Sequence, residues 1–211
     1  MEISPSVLGV DLSIVPWDLL SKHAHRLHID VLDGTFAKGK SPFTAKKVHS
    51  LPTSMMRDVH FMTQNPQREF KQYREAGAFV VNFHVEIGRT AWRIQKARDL
   101  GLKVGLAISP QTSVEKLFPF LKEVDEFLIL GVHPGKSGRP FQPGTFDKIE
   151  KLREKTHKLI KVDGGVSELN VLSLRDAGAD IVIMSSALFK NQTPVQDLRV
   201  LLRLINSRSD R

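Results

Sequence analysis

A pattern punctuated by glycine recurs three times in this chain, and it restricts the fold more than any other feature. In each copy an amphipathic segment ends at a glycine, and an apolar run begins one or two positions later; the copies lie at residues 76–81, 100–104 and 177–182. Glycine readily adopts the left-handed backbone that ends a helix. Strands that are apolar at every position are typical of parallel sheets covered on both faces. The pattern therefore predicts helices that alternate with buried parallel strands.

Eight strand-helix units of this kind can be marked along the sequence. Predicted strands cover residues 3–9, 27–34, 57–62, 79–85, 103–108, 126–132, 159–165 and 180–184. Predicted helices cover residues 13–23, 44–51, 65–77, 90–100, 144–156, 167–177 and 194–207, and one more begins at Thr112. Thr112 and Glu115 form a capping-box pattern, and Asn65 with Pro66 is typical of a helix start. Eight units favour an α/β fold, a single-domain (β/α)8 TIM barrel over residues 1–211.

Composition limits the chemistry that such a barrel can carry. The chain has no cysteine, so its strong side-chain metal ligands are imidazole and carboxylate. Its formal net charge is +8, but the basic residues are scattered and aromatic residues make up 7% of the chain. We therefore expect an anionic small-molecule substrate, no nucleic-acid partner and no membrane span. The N-terminal segment is predicted to be a strand instead of a signal peptide, which favours a cytoplasmic protein.

Metal-ligating residue types stand at the ends of three predicted strands. His28 and Asp30 are two residues apart, so their side chains share one face of a strand. His60 and Asp163 each follow a short apolar run. In a parallel barrel the carboxyl ends of the strands meet at one rim, and two buried carboxylates there would require a cation. His84 and His133 remain rivals, either as direct ligands or as residues that hydrogen-bond to the ligands.

Glycine and hydroxyl residues follow the last three predicted strands. They stand at residues 135–138, 164–165 and 185–186. Backbone N–H groups at these positions of a barrel are the usual site for a phosphate group. The interpretation is a phosphorylated substrate whose other end reaches the His and Asp residues.

The sequence resembles the ribulose-phosphate 3-epimerase family from residue 3 to residue 189. The shared segments read PSVL at 5–8, HIDVLDG at 28–34, DVHFM at 58–62, PGKSG at 134–138 and VDGGV at 162–166. The resemblance implies one divalent metal ion held by four side chains, with zinc or iron favoured and manganese or cobalt allowed. It implies a phosphorylated ketose as substrate and a homo-oligomeric enzyme. The implied metal ligands are His28, Asp30, His60 and Asp163, and the implied acid/base pair is Asp30 and Asp163. The implied substrate contacts are Ser6, His60, Gly135, Lys136, Ser137, Gly138, Gly164, Gly165, Ser185 and Ser186.

The resemblance predicts epimerisation at C3 of D-ribulose 5-phosphate to D-xylulose 5-phosphate. Several positions depart from the family pattern, including Leu32, Leu130 and the Lys136-Ser137 pair, so other interpretations stay open. One is an allulose-6-phosphate 3-epimerase, and another is a barrel that binds a phosphosugar without turnover. A third is a Schiff-base aldolase that uses Lys161, which lies two residues before Asp163 and therefore on the same strand face.

Overall fold

Eight parallel strands form the centre of the computed structural model, which describes residues 1–135, 140–191 and 193–206. The hydrogen-bonded order is β1-β8-β7-β6-β5-β4-β3-β2, and a parallel bridge between Ser6 and His28 brings β1 to β2. The two ends of the sheet therefore meet, and the predicted TIM barrel is confirmed. The strands are β1 Glu2–Pro5, β2 Arg26–Leu32, β3 Met56–Met62, β4 Ala78–His84, β5 Lys103–Ile108, β6 Glu126–Leu130, β7 Leu159–Asp163 and β8 Ile181–Met184.

Helices alternate with these strands around the outside of the barrel. The α-helices are α1 Trp17–Ser21, α2 Ala45–His49, α3 Phe70–Glu75, α4 Thr90–Arg98, α5 Thr145–Arg153, α6 Val171–Asp176, α7 Ser186–Phe189 and α8 Pro194–Asn206. Shorter 3-10 segments are Leu12–Ile14, Pro66–Arg68, Val85–Ile87 and Val114–Phe120. In the described part of the chain, no helix is long and apolar enough to span a membrane.

The recurring glycines end helices, as the sequence predicts. Gly101 has φ of 69° and Gly178 has φ of 106°, which is the left-handed region. Beyond them, the Leu102 N–H donates to Ala97 O at 3.1 Å and the Ala179 N–H donates to Leu174 O at 3.0 Å. These bonds span the last turn in the way that a glycine-terminated helix requires. Each glycine thus reverses the chain from a helix into the next strand.

Two helix starts differ from the sequence-based expectation. Ser113 takes the N-cap position in place of Thr112, and the Thr112 hydroxyl donates to Glu86 Oε1 at 2.6 Å. The segment that follows is a 3-10 helix containing Pro119, which has no N–H for a regular α-helical bond. Asn65 does stand before Pro66, but its side chain makes no cap hydrogen bond and a 3-10 turn precedes α3.

The interior of the barrel is unusually polar on one side. A small apolar layer of Ala107, Leu128, Leu130 and Ile183 fills the side formed by β5, β6 and β8. The inward positions of β2, β3, β4 and β7 carry charged and polar side chains instead. These buried groups are His28, Asp30, Asp58, His60, Asn82, His84 and Lys161. Polar groups buried at this depth require partners, and their arrangement determines what the barrel can bind.

Candidate active site

The four side chains of the sequence-predicted metal centre converge at the carboxyl end of the barrel. His28 and Asp30 project from one face of β2, and the register places Asp30 beside His60 of the neighbouring β3. Asp163 is the last residue of β7. One ligand atom from each of the four residues lies within 4.8 Å of the others. The alternation of side chains along a strand thus delivers all four to one point.

The contacts within this group are short. His60 Nδ1 lies 3.0 Å from Asp30 Oδ1, and His28 Nε2 lies 3.3 Å from the same oxygen. Asp163 Oδ2 lies 4.0 Å from both of these ring nitrogens. The two histidines are fully buried, whereas the Asp163 side chain retains 19% exposure. Two nitrogens and two carboxylate oxygens therefore face a common centre from which solvent is largely excluded.

Burial and the two carboxylates displace the pKa values of this group strongly. Burial, together with the charge of Asp30, raises the pKa of Asp163 to about 7. Burial opposes the ionisation of Asp30 as well, but contacts with His28 and His60 outweigh it and hold the pKa of Asp30 well below its usual range. Burial lowers the pKa of His60 to about 4. The two carboxyl groups therefore differ in protonation near neutral pH, with Asp30 ionised and Asp163 at its titration point.

The donor set fits a divalent cation. Among the described residues, neither ring nitrogen of His28 has a hydrogen-bond partner, although both nitrogens are buried. Burial disfavours the charged ring, yet Asp30 and Asp58 outweigh this effect and raise the pKa of His28 to about 10. The carboxylates thus attract positive charge to this position, and a bound cation would take the place of the proton. Two imidazoles with two carboxylates suit borderline divalent cations.

A cavity of about 530 Å³ opens over this centre. Ser6 lines it directly after β1, and its hydroxyl donates to Asp30 Oδ2 at 3.1 Å. His28 and His60 lie beneath the floor, outside the set of described residues that line the cavity. The remaining sequence-predicted substrate contacts that line it are Gly135, Gly164, Gly165, Ser185 and Ser186. Lys136, Ser137 and Gly138 lie outside the described residues.

Close backbone approaches explain several of the glycines around this cavity. A Cβ atom on Gly164 would lie 2.4 Å from Val132 Cγ2, and one on Gly165 would lie 2.9 Å from the backbone of Phe141. Across the cavity mouth, a Cβ atom on Gly135 would lie 2.7 Å from Lys38 O. The loop after β2 therefore touches the loop after β6, and Gly135 of the second loop lines the cavity.

A second polar cluster fills the barrel beneath the candidate metal centre. Lys161 Nζ lies 2.5 Å from Asp58 Oδ2 and also pairs with Glu126, which accepts a hydrogen bond from Arg26 at 2.7 Å. Lys161 is fully buried and lies outside the described cavity lining. The Schiff-base interpretation therefore has no geometric support, because a substrate carbonyl in the cavity does not reach this amine.

Asp58 is a site residue that the sequence analysis did not select. Its Oδ2 lies 3.6 Å from His28 Nδ1, on the side of the ring opposite to Asp30. Lys161 and His28 hold the pKa of Asp58 well below its usual range despite burial, which opposes ionisation. Asp58 lies two residues before His60, so the alternation of strand side chains marks it as inward-facing. That signal was present in the sequence.

The two rival histidines occupy different positions. His84 is fully buried directly behind His60, with the two Nε2 atoms 3.0 Å apart. His133 lines the cavity mouth and contacts the Gln111 side chain. Among the described residues, the compact group of potential metal ligands includes neither of them.

The fold and the site together define a class: a parallel (β/α)8 barrel with a polar centre of two imidazoles and two carboxylates at the carboxyl ends of its strands. The family model described as "Ribulose-phosphate 3 epimerase family" matches residues 2–189. A ribulose-phosphate 3-epimerase of Schizosaccharomyces pombe is 34% identical over 202 residues, which cover 92% of this chain and 89% of that protein. The enzyme of Chlamydia muridarum is 32% identical, with 95% and 93% covered. This chain belongs to the ribulose-phosphate 3-epimerase family, whose members are carbohydrate epimerases.

Two further comparisons concern another member of the family and a barrel of a different kind. A ribulose-phosphate 3-epimerase of Oryza sativa subsp. japonica, named as a cytoplasmic isoform, is 30% identical, with 97% of this chain and 94% of that protein covered. The tryptophan synthase α-subunit of Pyrococcus furiosus superposes with a TM-score of 0.71 at 15% identity, covering 97% of this chain and 96% of that one. At that identity the superposition concerns the fold alone.

Proposed function

We propose that this chain epimerises D-ribulose 5-phosphate and D-xylulose 5-phosphate at C3, with Asp30 and Asp163 as the two acid/base groups. One observation carries the proposal: two carboxyl groups with opposite pKa displacements line one cavity, beside a donor set that fits a divalent cation. Inversion of a carbon next to a ketone requires one group to remove a proton and another to return a proton on the opposite face. Asp30 from β2 and Asp163 from β7 both line the cavity and would supply these two roles.

The proton transfers can be followed at named atoms. The Asp30 carboxylate takes the C3 proton of one epimer, the electrons of the C3–H bond form the C2=C3 bond of an enediolate, and the π electrons of the C2 carbonyl move onto its oxygen; protonation at C3 reverses these shifts. The protonated Asp163 carboxyl then gives its proton to the other face of C3. The reverse reaction exchanges the two roles. Ser6 stabilises the ionised form of Asp30 by donating to its second carboxylate oxygen.

We propose that His28, Asp30, His60 and Asp163 hold the metal ion, with zinc or iron favoured. A divalent cation bound there supplies Lewis-acid stabilisation for the negative charge that develops on the substrate oxygens. The histidines lie beneath the cavity floor, where they would hold the metal ion, and the two carboxylates line the cavity, where they would also reach the substrate. The burial of His28, Asp30 and His60 also limits the access of water to the reacting carbon.

The phosphate end of the substrate is proposed to lie near Gly164, Gly165, Ser185 and Ser186. Both glycines line the cavity, and a side chain at either position would meet Val132 or Phe141, so these turns bring bare backbone to the cavity wall. Gly135, which lines the same cavity, would lie at this end as well. A cytoplasmic location, a single domain and a homo-oligomeric state stay predictions from the sequence.

Turnover by metal-stripped and reconstituted protein tests this function. The panel contains D-ribulose 5-phosphate, D-allulose 6-phosphate and unphosphorylated D-ribulose, with the products measured by proton NMR. We expect the pentulose phosphate to react fastest, a chelator to abolish the reaction, and zinc or iron to restore it. Faster turnover of the hexulose phosphate would favour the allulose-6-phosphate interpretation. Binding of phosphosugars without any turnover in reconstituted protein would favour a barrel that only binds them.

A further inference from the structure

A chain of hydrogen bonds runs from the candidate metal centre to a carboxylate outside it. His60 Nε2 lies 3.0 Å from His84 Nε2, and His84 Nδ1 lies 3.1 Å from Glu86 Oε2. His60 Nδ1, on the other side of the ring, faces Asp30 and Asp163. Glu86 is thus the second group behind the metal centre, and the His84 ring connects it to His60.

Glu86 is itself held rigidly. Its other oxygen, Oε1, accepts hydrogen bonds from the Ser109 N–H at 2.7 Å and from the Thr112 hydroxyl at 2.6 Å. Lys148 Nζ fixes the loop that carries both donors, because it donates to Ser109 O at 3.1 Å and to Thr112 O at 2.7 Å. This carboxylate therefore has one oxygen committed to the loop after β5 and one committed to His84.

The His84 ring is fixed in the same way. Its centroid lies 4.5 Å from that of Phe36 and 5.1 Å from that of His60. The Glu86 carboxylate beside this ring is ionised at neutral pH. Burial opposes the ionisation of Glu86, but hydrogen bonds from His84, Thr112 and Ser109 outweigh burial and lower the pKa of Glu86 to about 2. The side chain of His84 is fully buried, so water does not compete for either of its nitrogens.

When a cation occupies the metal centre, these contacts determine where the proton of each ring sits. An ionised Glu86 only accepts, so His84 must carry its proton on Nδ1. His84 Nε2 is then an acceptor, which requires His60 to carry its proton on Nε2. His60 Nδ1 faces Asp30 Oδ1 at 3.0 Å, and with a cation held between these two groups it carries no proton and offers its lone pair to the cation. That is the tautomer that a metal ligand needs, and partners of this kind fix it in metal sites generally.

We propose that Glu86 is a positioning residue for the metal centre, acting through His84 to hold His60 in the tautomer that binds metal through Nδ1. The inference rests on the proposed metal site. It assigns no direct contact with substrate or metal to Glu86. Its effect is on metal affinity, because the alternative His60 tautomer directs a proton at the cation.

Glu86→Gln is the sharpest test, because it keeps the size of the side chain and changes its hydrogen-bonding pattern. The Ser109 N–H requires an acceptor, so the amide oxygen takes that side and the NH2 group faces His84 Nδ1. His84 must then accept there and donate from Nε2, which reverses the preferred tautomer of His60. We expect zinc affinity, measured by competition with a chelator, to fall about 10- to 100-fold. We also expect the ring ¹⁵N shifts of His84 in zinc-loaded protein to report the exchanged tautomer.

Glu115→Gln is the matched control, since Glu115 is an exposed carboxylate in the same region that contacts Ser113 instead of the histidines. It should leave zinc affinity unchanged. Thr112→Val keeps the Glu86 carboxylate but removes one of the hydrogen-bond donors to it, so this variant should also bind zinc more weakly. It tests the hydrogen-bond chain from Glu86 to His60 even if Glu86→Gln folds poorly. Zinc affinities of both Glu86→Gln and Thr112→Val within twofold of the unmodified protein would overturn this inference alone. Weaker zinc binding with an unchanged His84 tautomer would overturn it too, whereas an unmodified protein that binds no zinc would overturn the proposed metal site itself.

Discussion

Asp30 and Asp163 reach the same point from β2 and β7, with one oxygen of each inside a 4.8 Å group, and their pKa values are displaced in opposite directions. Two carboxyl groups in equivalent surroundings would titrate together. Here the two histidines contact Asp30 at 3.0 and 3.3 Å but lie 4.0 Å from Asp163, so the favourable contacts belong to one partner. In the proposed mechanism, this asymmetry would provide a base and an acid at the same pH.

Removal of the buried Lys161 amine should destabilise the barrel without any involvement of substrate. Lys161→Met leaves Asp58 and Glu126 as buried carboxylates with one cation fewer, and breaking a buried ion pair costs about 3–5 kcal/mol. We expect urea unfolding to show a loss of at least about 3 kcal/mol. Lys155→Met, at an exposed lysine shortly before β7, should change stability by less than about 0.5 kcal/mol. Equal stability of the two variants would contradict the ion-pair account.

The close approach at Gly165 gives a prediction for the phosphate end of the cavity. Gly165 and Gly101 have nearly the same φ, 70° and 69°, but a Cβ atom meets the Phe141 backbone only at Gly165. Gly101→Ala should therefore cost about 1–2 kcal/mol from backbone strain alone and leave KM unchanged. Gly165→Ala should cost more in urea unfolding and should raise KM for the phosphorylated ketose. Identical behaviour of the two variants would remove Gly165 from the proposed phosphate site.

The lowered pKa of Glu86 predicts that this carboxylate stabilises metal-free protein at neutral pH and stops doing so in acid. Its pKa is lowered from 4.5 to about 2 in the folded state, so the ionised form stabilises the fold above pH 4.5. This contribution is lost as the pH falls from 4.5 towards 2, and it amounts to something on the order of 2 kcal/mol. Urea unfolding should therefore separate the unmodified protein from Glu86→Gln at pH 6, with the gap narrowing by pH 3. A gap that is constant with pH would show that the Glu86 charge contributes nothing.

Strand periodicity accounts for much of what the sequence predicts correctly. The two-residue spacing of His28 and Asp30 places both on one face, and the glycines at 101 and 178 mark helix ends through a local conformational preference. The same periodicity marks Asp58 and Lys161 as inward-facing. Their pairing with each other depends on the arrangement of β3 and β7 around the barrel, which local pattern does not encode.

The features that the sequence analysis missed depend on tertiary contacts. Glu86 lies past the end of β4, where no strand alternation applies, and its role appears only when His84 and the loop at Ser109 are placed beside it. Thr112 was assigned as an N-cap because its spacing to Glu115 fits a capping box. In the structure its hydroxyl donates to Glu86 Oε1 instead, and an ionised carboxylate is a stronger acceptor than a neutral group.

The most direct test of the two-aspartate account is deuterium exchange from D₂O into C3, started from each epimer in turn. Asp30→Asn and Asp163→Asn are compared with the unmodified protein, and the metal content of each is measured in parallel. We predict that both variants lose epimerisation but retain exchange from one epimer only, and that the epimer differs between them. Exchange from both epimers at unmodified rates in either variant would contradict the account, because the missing carboxylate would then be no base. Absence of exchange from either epimer with full metal content would also contradict it, because a two-base mechanism leaves one base in place.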